Sequence, residues 1–217
     1  GVLAADVPVS RAAGNGTAAR VLVHPGSVSG ATVSLSVVRI EKNGRIPLHL
    51  HRNSGISYFV IEGTGRLDAS LAQGKTAARP LSPGAAGYIP AGIPHEFVGP
   101  SGDEPLVFLL WSSPAGLEQF FIHGEPSGHD VLFFPPEKSS DPRPLAEYGN
   151  AGQLRHADRA LSAGEPRQIE KTVWFSLPGA GEWCVIAAPA GKEVKVSPPK
   201  GSFFSAFVLQ GGGEWKS

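Results

Sequence analysis

A His-x-His pair lies within residues 44–65, GRIPLHLHRNSGISYFVIEGTG, and this stretch limits the chain's fold more than any other. It reads as a β-strand, and period-2 alternation puts His49 and His51 on one face with Leu50 on the other. Two imidazoles so placed can share one ion. The run SYFVIEGTGRLDASL that follows is aromatic and β-branched, broken by Gly63 and Gly65, and predicts a strand, a turn or bulge, and a second strand. A third histidine, His95, closes GYIPAGIPHEF, where two prolines and a glycine predict a turn before another strand.

The rest of the chain extends the same grammar. Its 28 glycines and 20 prolines are spread between short runs rich in Val, Ile, Phe and Leu. That pattern predicts an all-β sandwich or barrel. Strands are expected at 19–24, 31–40, 84–90, 94–99 and 105–113, the last, PLVFLLWSS, apolar enough to be buried on both faces. Residues 114–121 predict a short helix that packs Leu117, Phe120 and Phe121 against the barrel, with Ser112 or Ser113 as its cap. His24 is expected at a surface turn before Pro25-Gly26, and His123, His129 and His156 stand at spacings that match no ligand motif.

Residues 123–155 are rich in proline and glycine and predict a connector between a barrel at 1–122 and a second region at 156–217. Strands are expected to resume there with KTVWFSL, EWCVIAA, KEVKVS and SFFSAFVLQGGGEW. Laying Val60-Ile61-Glu62-Gly63 on Val208-Leu209-Gln210-Gly211 suggests an internal repeat. In that register Ser197, Pro199 and Phe204 stand opposite His49, His51 and Ile56. A second copy would hold no metal, and it is incomplete within these residues.

Charge narrows the partners. Nineteen basic residues balance nineteen acidic ones, without a basic run, so neither nucleic acid nor an anionic membrane is an expected partner. No apolar run approaches the length of a membrane span. The single cysteine, Cys184, excludes an intrachain disulfide. The first residues, GVLAADVPVS, fit either the end of a signal peptide or an expression scar, and Asn15-Gly16-Thr17 fits a glycosylation acceptor. The first feature leaves the compartment open, and the triplet slightly favours secretion over the cytoplasm. The expected partners are a small-molecule substrate and a second copy of the chain.

The two histidine segments resemble the motifs of the cupin superfamily. The first motif, Gly, five residues, His-x-His, a gap, Glu, six residues, Gly, is similar to Gly44–Gly63; the second, Gly, five residues, Pro-x-Gly, two residues, His, is similar to Gly84–His95 through Pro90, Gly92 and Pro94. The resemblance covers roughly residues 30–122. It implies a double-stranded β-helix barrel of jelly-roll type with a metal inside, and the tail then resembles a partial second half of a bicupin. The glutamate that usually completes the metal shell would fall at Ile56, which cannot bind an ion, and Gly99 stands where an asparagine is common. Glu62 takes the usual Glu-Gly turn position.

The resemblance therefore implies three ligands, His49, His51 and His95. Three neutral imidazoles can hold zinc, iron, nickel, copper or manganese, and the resemblance to cupin dioxygenases makes iron the leading expectation among them. Without a carboxylate the ion keeps its full charge, favours an anionic phenol or enol, and leaves positions open for O₂ beside substrate. Some cupin dioxygenases are similar in using three histidines, and small quercetinase-like cupins resemble this chain in a Gly-Leu-Glu-x-Phe-Phe segment, here Gly116–Phe121. Strand parity places Ile56, Tyr58 and Val60 on the face of His49 and His51, and Phe97 on that of His95, which makes an apolar substrate pocket with Tyr58 as a candidate donor. The leading expectation is a metal-dependent dioxygenase. A non-redox lyase, isomerase or cyclase and a non-catalytic binding cupin stand beside it.

Overall fold

In the computed structural model the described residues are 9–10, 16–70, 76–123, 130–134, 155–158, 170–177 and 181–197. The chain divides into two compact units, residues 1–162 and 163–217. The first unit contains strands β1 (Val9–Ser10), β2 (Thr17–Val23), β3 (Ser34–Ile40), β4 (Arg45–His51), β5 (Gly55–Glu62), β6 (Gly65–Ser70), β7 (Thr76–Leu81), β8 (Ala85–Ile89), β9 (His95–Val98) and β10 (Leu106–Ser113). Helix α1 (Leu117–His123) and strands β11 (Val131–Phe133) and β12 (Arg155–Asp158) follow.

Twelve strands form two antiparallel sheets, in the orders β1-β2-β3-β10-β5-β8-β12 and β11-β4-β9-β6-β7. Their inner faces share one core, which takes Val38, Tyr58, Val60, Phe108 and Leu110 from the first sheet and Ile46, Leu67 and Phe97 from the second. This is the expected all-β class, with two antiparallel sheets around one core, consistent with the expected barrel. β5 and β10 pair through the middle of the larger sheet; β5 is buried over its first six residues, whereas β10 meets the expected two-sided burial only in part, with Val107, Trp111 and Ser113 half-buried on one face.

Several details differ from the sequence reading. α1 begins at Leu117, not at Pro114, and neither serine caps it. Ser112 Oγ donates to the Pro114 carbonyl, while the buried Glu118 carboxylate accepts from the Gly116 N–H at 2.6 Å. Leu117, Phe120 and Phe121 do pack into the barrel core. The expected connector holds β11, and β12 spans its last residue and the first three of the expected second region, yet both strands belong to this unit. β11 pairs with β4, and β12 pairs with β8. His24 is half-buried at its turn, where Nδ1 accepts from the Gly26 N–H.

In the second unit, β13 (Glu170–Leu177) and β14 (Gly181–Ala187) form an antiparallel hairpin. KEVKVS forms no strand: residues 192–197 have no regular structure, because an alternating Val/Lys tract needs a ladder partner and no described strand pairs with it. SFFSAFVLQGGGEW, with the proposed counterparts Pro199, Phe204 and Val208–Gly211, lies outside the described residues, as do Asn15 and His129. Cys184 is exposed. Among the described residues no helix is long and apolar enough to cross a membrane.

The β5–β6 turn shows how tightly the strands are joined. Gly63 has φ +72°, and a Cβ there would run into the backbone carbonyl of Pro105. Gly102 has open space around its Cβ direction. Gly63→Ala is expected to lower stability by about 2–4 kcal/mol in denaturant unfolding, and Gly102→Ala by less than about 0.5 kcal/mol. Equal effects from the two substitutions would contradict this account of the turn.

Candidate metal centre

The histidine pair owes its placement to Pro47. Proline has no N–H for the ladder, and the β4–β9 register shifts between Ile46 and His49. The shift lets Ile46, His49 and His51 all border the same cavity, although simple alternation would put Ile46 on the opposite side from the histidines. Leu48 and Leu50 then point the other way, into a small cluster with Phe134 and Leu132. His95 is brought alongside by the β4–β9 ladder, where it stands directly opposite His49. The Gly92 N–H donates to the His51 carbonyl at 2.7 Å and ties the PAGIP loop to the end of β4.

The three rings form one cluster, with centroids 4.3 to 5.3 Å apart. Each offers a ring nitrogen, and these atoms lie within 4.8 Å of one another. All three side chains are buried, His95 at 1 % exposure. Nδ1 of His49 donates to the Pro47 carbonyl at 2.7 Å, and Nδ1 of His95 to the Ile93 carbonyl at 2.8 Å. A carbonyl can only accept, so both rings carry their hydrogen on Nδ1 and present a bare Nε2 lone pair. His95 Nε2 is buried without any partner. Ring nitrogens that converge in this way, one of them without a partner, are a donor set that a divalent transition metal can take.

Electrostatics keep two of the rings in that form. Burial, then the neighbouring His95 and His51, hold the pKa of His49 well below its usual value, against the pull of the Pro47 hydrogen bond. Burial and His51 likewise push His95 down to about 3, against its bond to Ile93.

That wall is apolar. Ile46, Ile56, Phe97 and Leu110 come from the two sheets, Leu117, Phe120 and Phe121 from α1, and Val131 and Phe133 from β11. About 10 Å³ is free inside, room for little more than one water-sized ligand. Ile56, 1 % exposed, is on the wall as its parity predicts, and so is Phe97. Tyr58 and Val60 share its strand face but sit deeper in the core and do not border the cavity. Tyr58 packs edge-on against Phe97 at 5.7 Å, and burial pushes its phenol pKa up. Glu62 is exposed at the end of β5.

The sequence reading missed Asp130 and the walls supplied by α1 and β11. Asp130 Oδ2 faces His51 Nδ1 at 3.5 Å. Its Oδ1 accepts from the backbone N–H groups of Asn53 and Ser54 at 2.8 and 3.2 Å. Burial alone would raise this carboxyl, but the contacts with His51, Ser54 and Asn53 outweigh it and hold the pKa at about 2. The run Val131-Leu132-Phe133-Phe134 was the available signal for a strand here. Nothing local marks the aspartate.

The profile of the cupin domain family matches residues 36–112, which contain β4, β5, β9 and all three histidines. This part of the chain is a cupin domain. Solved structures of similar fold include oxalate decarboxylase from Bacillus subtilis, at 20% identity and TM-score 0.44 over 51% of this chain and 28% of that one. A cupin-2 domain protein from Rhodospirillum rubrum aligns at 18% identity and TM-score 0.45 over 61% and 76% of the two chains. The polyketide cyclase RemF from Streptomyces resistomycificus aligns at 24% identity and TM-score 0.44 over 68% and 96%. The chain thus spans less than a third of the length of the oxalate decarboxylase it aligns with. No curated protein sequence matches the chain.

The cupin histidines also make the fold sensitive to acid. His49 and His95 stay neutral when folded, whereas unfolded histidines take up protons below about pH 6.5. Their contribution is therefore whole above pH 6.5 and is lost as pH falls toward the folded value, about 3 for His95. Each ring contributes a slope of roughly 1.4 kcal/mol per pH unit in that window. Thermal melts of the metal-free protein are expected to show a falling midpoint between pH 7 and 5, with a shallower fall in His95→Gln. An unchanged midpoint across that range would contradict the assignment of buried neutral rings.

Proposed function

We propose that this protein is a metal-dependent cupin enzyme, a dioxygenase that acts on an anionic phenol or enol with an apolar body. One observation carries the reading: three imidazole nitrogens converge in a cavity whose remaining walls are all hydrocarbon or aromatic. Among the described residues no other acid or base borders that space, so the side chains there can bind and orient a ligand but offer no proton-transfer group besides the histidines. A divalent transition metal held by His49, His51 and His95 would supply Lewis acidity toward an anionic oxygen and, if redox-active as iron is, the site of O₂ activation.

The protein's own contribution is shape and exclusion of water. Ile56 offers no carboxylate to neutralise a cation, which favours an anionic ligand group over a neutral one. Phe97, Phe120 and Phe133 present ring surfaces that suit a flat, unsaturated body. Because the free volume is small, such a substrate must displace aromatic side chains of α1 or β11 as it enters. Dioxygenation adds both atoms of O₂ to the substrate and needs no separate reductant, in keeping with a site built only of histidines and apolar groups.

Metal analysis of the purified chain followed by oxygen-electrode measurements with phenols and 1,3-diketones tests the reading. About one iron, or another redox-active metal, per chain with O₂ uptake is expected, and His49→Ala should lose both. Zinc or nickel without O₂ uptake would replace oxygenation with Lewis-acid lyase, isomerase or cyclase chemistry. No retained metal, with ligand binding unaltered by His49→Ala, would leave a non-catalytic binding cupin.

A further inference from the structure

We propose that Asp130 is a positioning residue for the metal centre: it fixes the tautomer of His51, so that Nε2 rather than Nδ1 is left bare for the ion. The inference rests on the three-histidine reading of the site and extends it to a residue outside the cupin motifs. His49 and His95 have backbone carbonyls against Nδ1, which settle where their hydrogens sit. His51 has no such carbonyl. The group that faces its Nδ1 is Asp130 Oδ2, at 3.5 Å, from the residue just before β11. A carboxylate oxygen accepts only, so the arrangement favours the hydrogen on Nδ1 and turns all three rings into the same form.

Asp130 is itself held in one orientation. Its backbone carbonyl accepts from the Arg52 N–H at 2.7 Å, and its Oδ1 accepts from the N–H groups of Asn53 and Ser54. Pairing of β11 with β4 places Val131 opposite His51 and so sets the aspartate at the end of the histidine strand. With Oδ1 engaged, Oδ2 is the oxygen left for the imidazole. His51 Nδ1, Asp130 Oδ2 and Ser54 Oγ are all buried and have no hydrogen-bond partner within standard geometry, so the group facing each is the partner its burial calls for.

Asp130→Asn separates positioning from mere support of the turn. The amide oxygen can keep both bonds from Asn53 and Ser54, which places the NH₂ group where Oδ2 stood. That group donates, so His51 Nδ1 must accept and the ring hydrogen moves to Nε2, where it points into the metal site. Nitrogen-15 NMR of the imidazoles in the metal-free full chain at pH 8 is expected to show an Nδ1–H tautomer for His51 in the wild type and an Nε2–H tautomer in Asp130→Asn. Zinc titration against a chromophoric chelator should show affinity 10- to 100-fold weaker in the variant, with the melting midpoint of the metal-free form little changed.

An Nε2–H tautomer in the wild type would overturn the inference, and that reading does not depend on the variant folding. So would wild-type zinc affinity in a folded Asp130→Asn protein. If the wild type takes up no zinc while its His51 tautomer is Nδ1–H and changes in the variant, the role of Asp130 stands and the metal reading falls.

Discussion

The hydrogen bonds from Nδ1 of His49 and His95 to the carbonyls of Pro47 and Ile93 are what the site depends on. Three imidazoles lie inside an apolar core, where an unsatisfied polar atom costs about 1–3 kcal/mol. The two carbonyls satisfy one nitrogen on each of two rings, and Asp130 faces the corresponding nitrogen of the third. What is left over, including the partnerless Nε2 of His95, is concentrated in one small space. A packed barrel has no use for such a concentration, whereas binding of a structural-strength zinc ion releases on the order of 10 kcal/mol, enough to offset several orphaned nitrogens.

The backbone devices that create this arrangement are ones that would weaken an ordinary strand. Pro47 breaks the β4 ladder, and the resulting shift turns Ile46 and the histidine pair to one side. Pro94, in the loop before β9, lies between the carbonyl that accepts from His95 and the histidine itself. In each case a carbonyl beside the interruption meets a ring two residues later. Ile56 completes the logic from the opposite sheet: it closes the cavity with hydrocarbon at a place where a carboxylate would have changed the charge of the centre.

Much of this was legible in the sequence, for a physical reason. The three histidines sit in local patterns, a period-2 strand and a Pro-Gly turn, and Ile56 and Phe97 follow from parity along single strands. Tyr58 and Val60 obey the same parity but lie farther into the core, because the cavity's extent is set by what α1 and β11 cover and not by the strand alone. Asp130 had no local signature. Its partners Asn53 and Ser54 are 77 and 76 residues away, and only the β11–β4 pairing brings them together. The same long-range pairing turned a stretch that reads as a connector into part of the site. KEVKVS failed in the opposite sense, since alternation marks a strand only where a neighbour supplies the ladder.

The central claim is that His49, His51 and His95 bind one ion through their Nε2 atoms. Anomalous diffraction from crystals of the metal-loaded full chain, collected on either side of the metal's absorption edge, tests it directly. The account requires a single strong peak about 2.0–2.2 Å from each of the three Nε2 atoms, with the Nδ1 atoms turned to Pro47, Asp130 and Ile93. A peak bound through Nδ1, a peak at another cluster, or no peak between the three rings would contradict it.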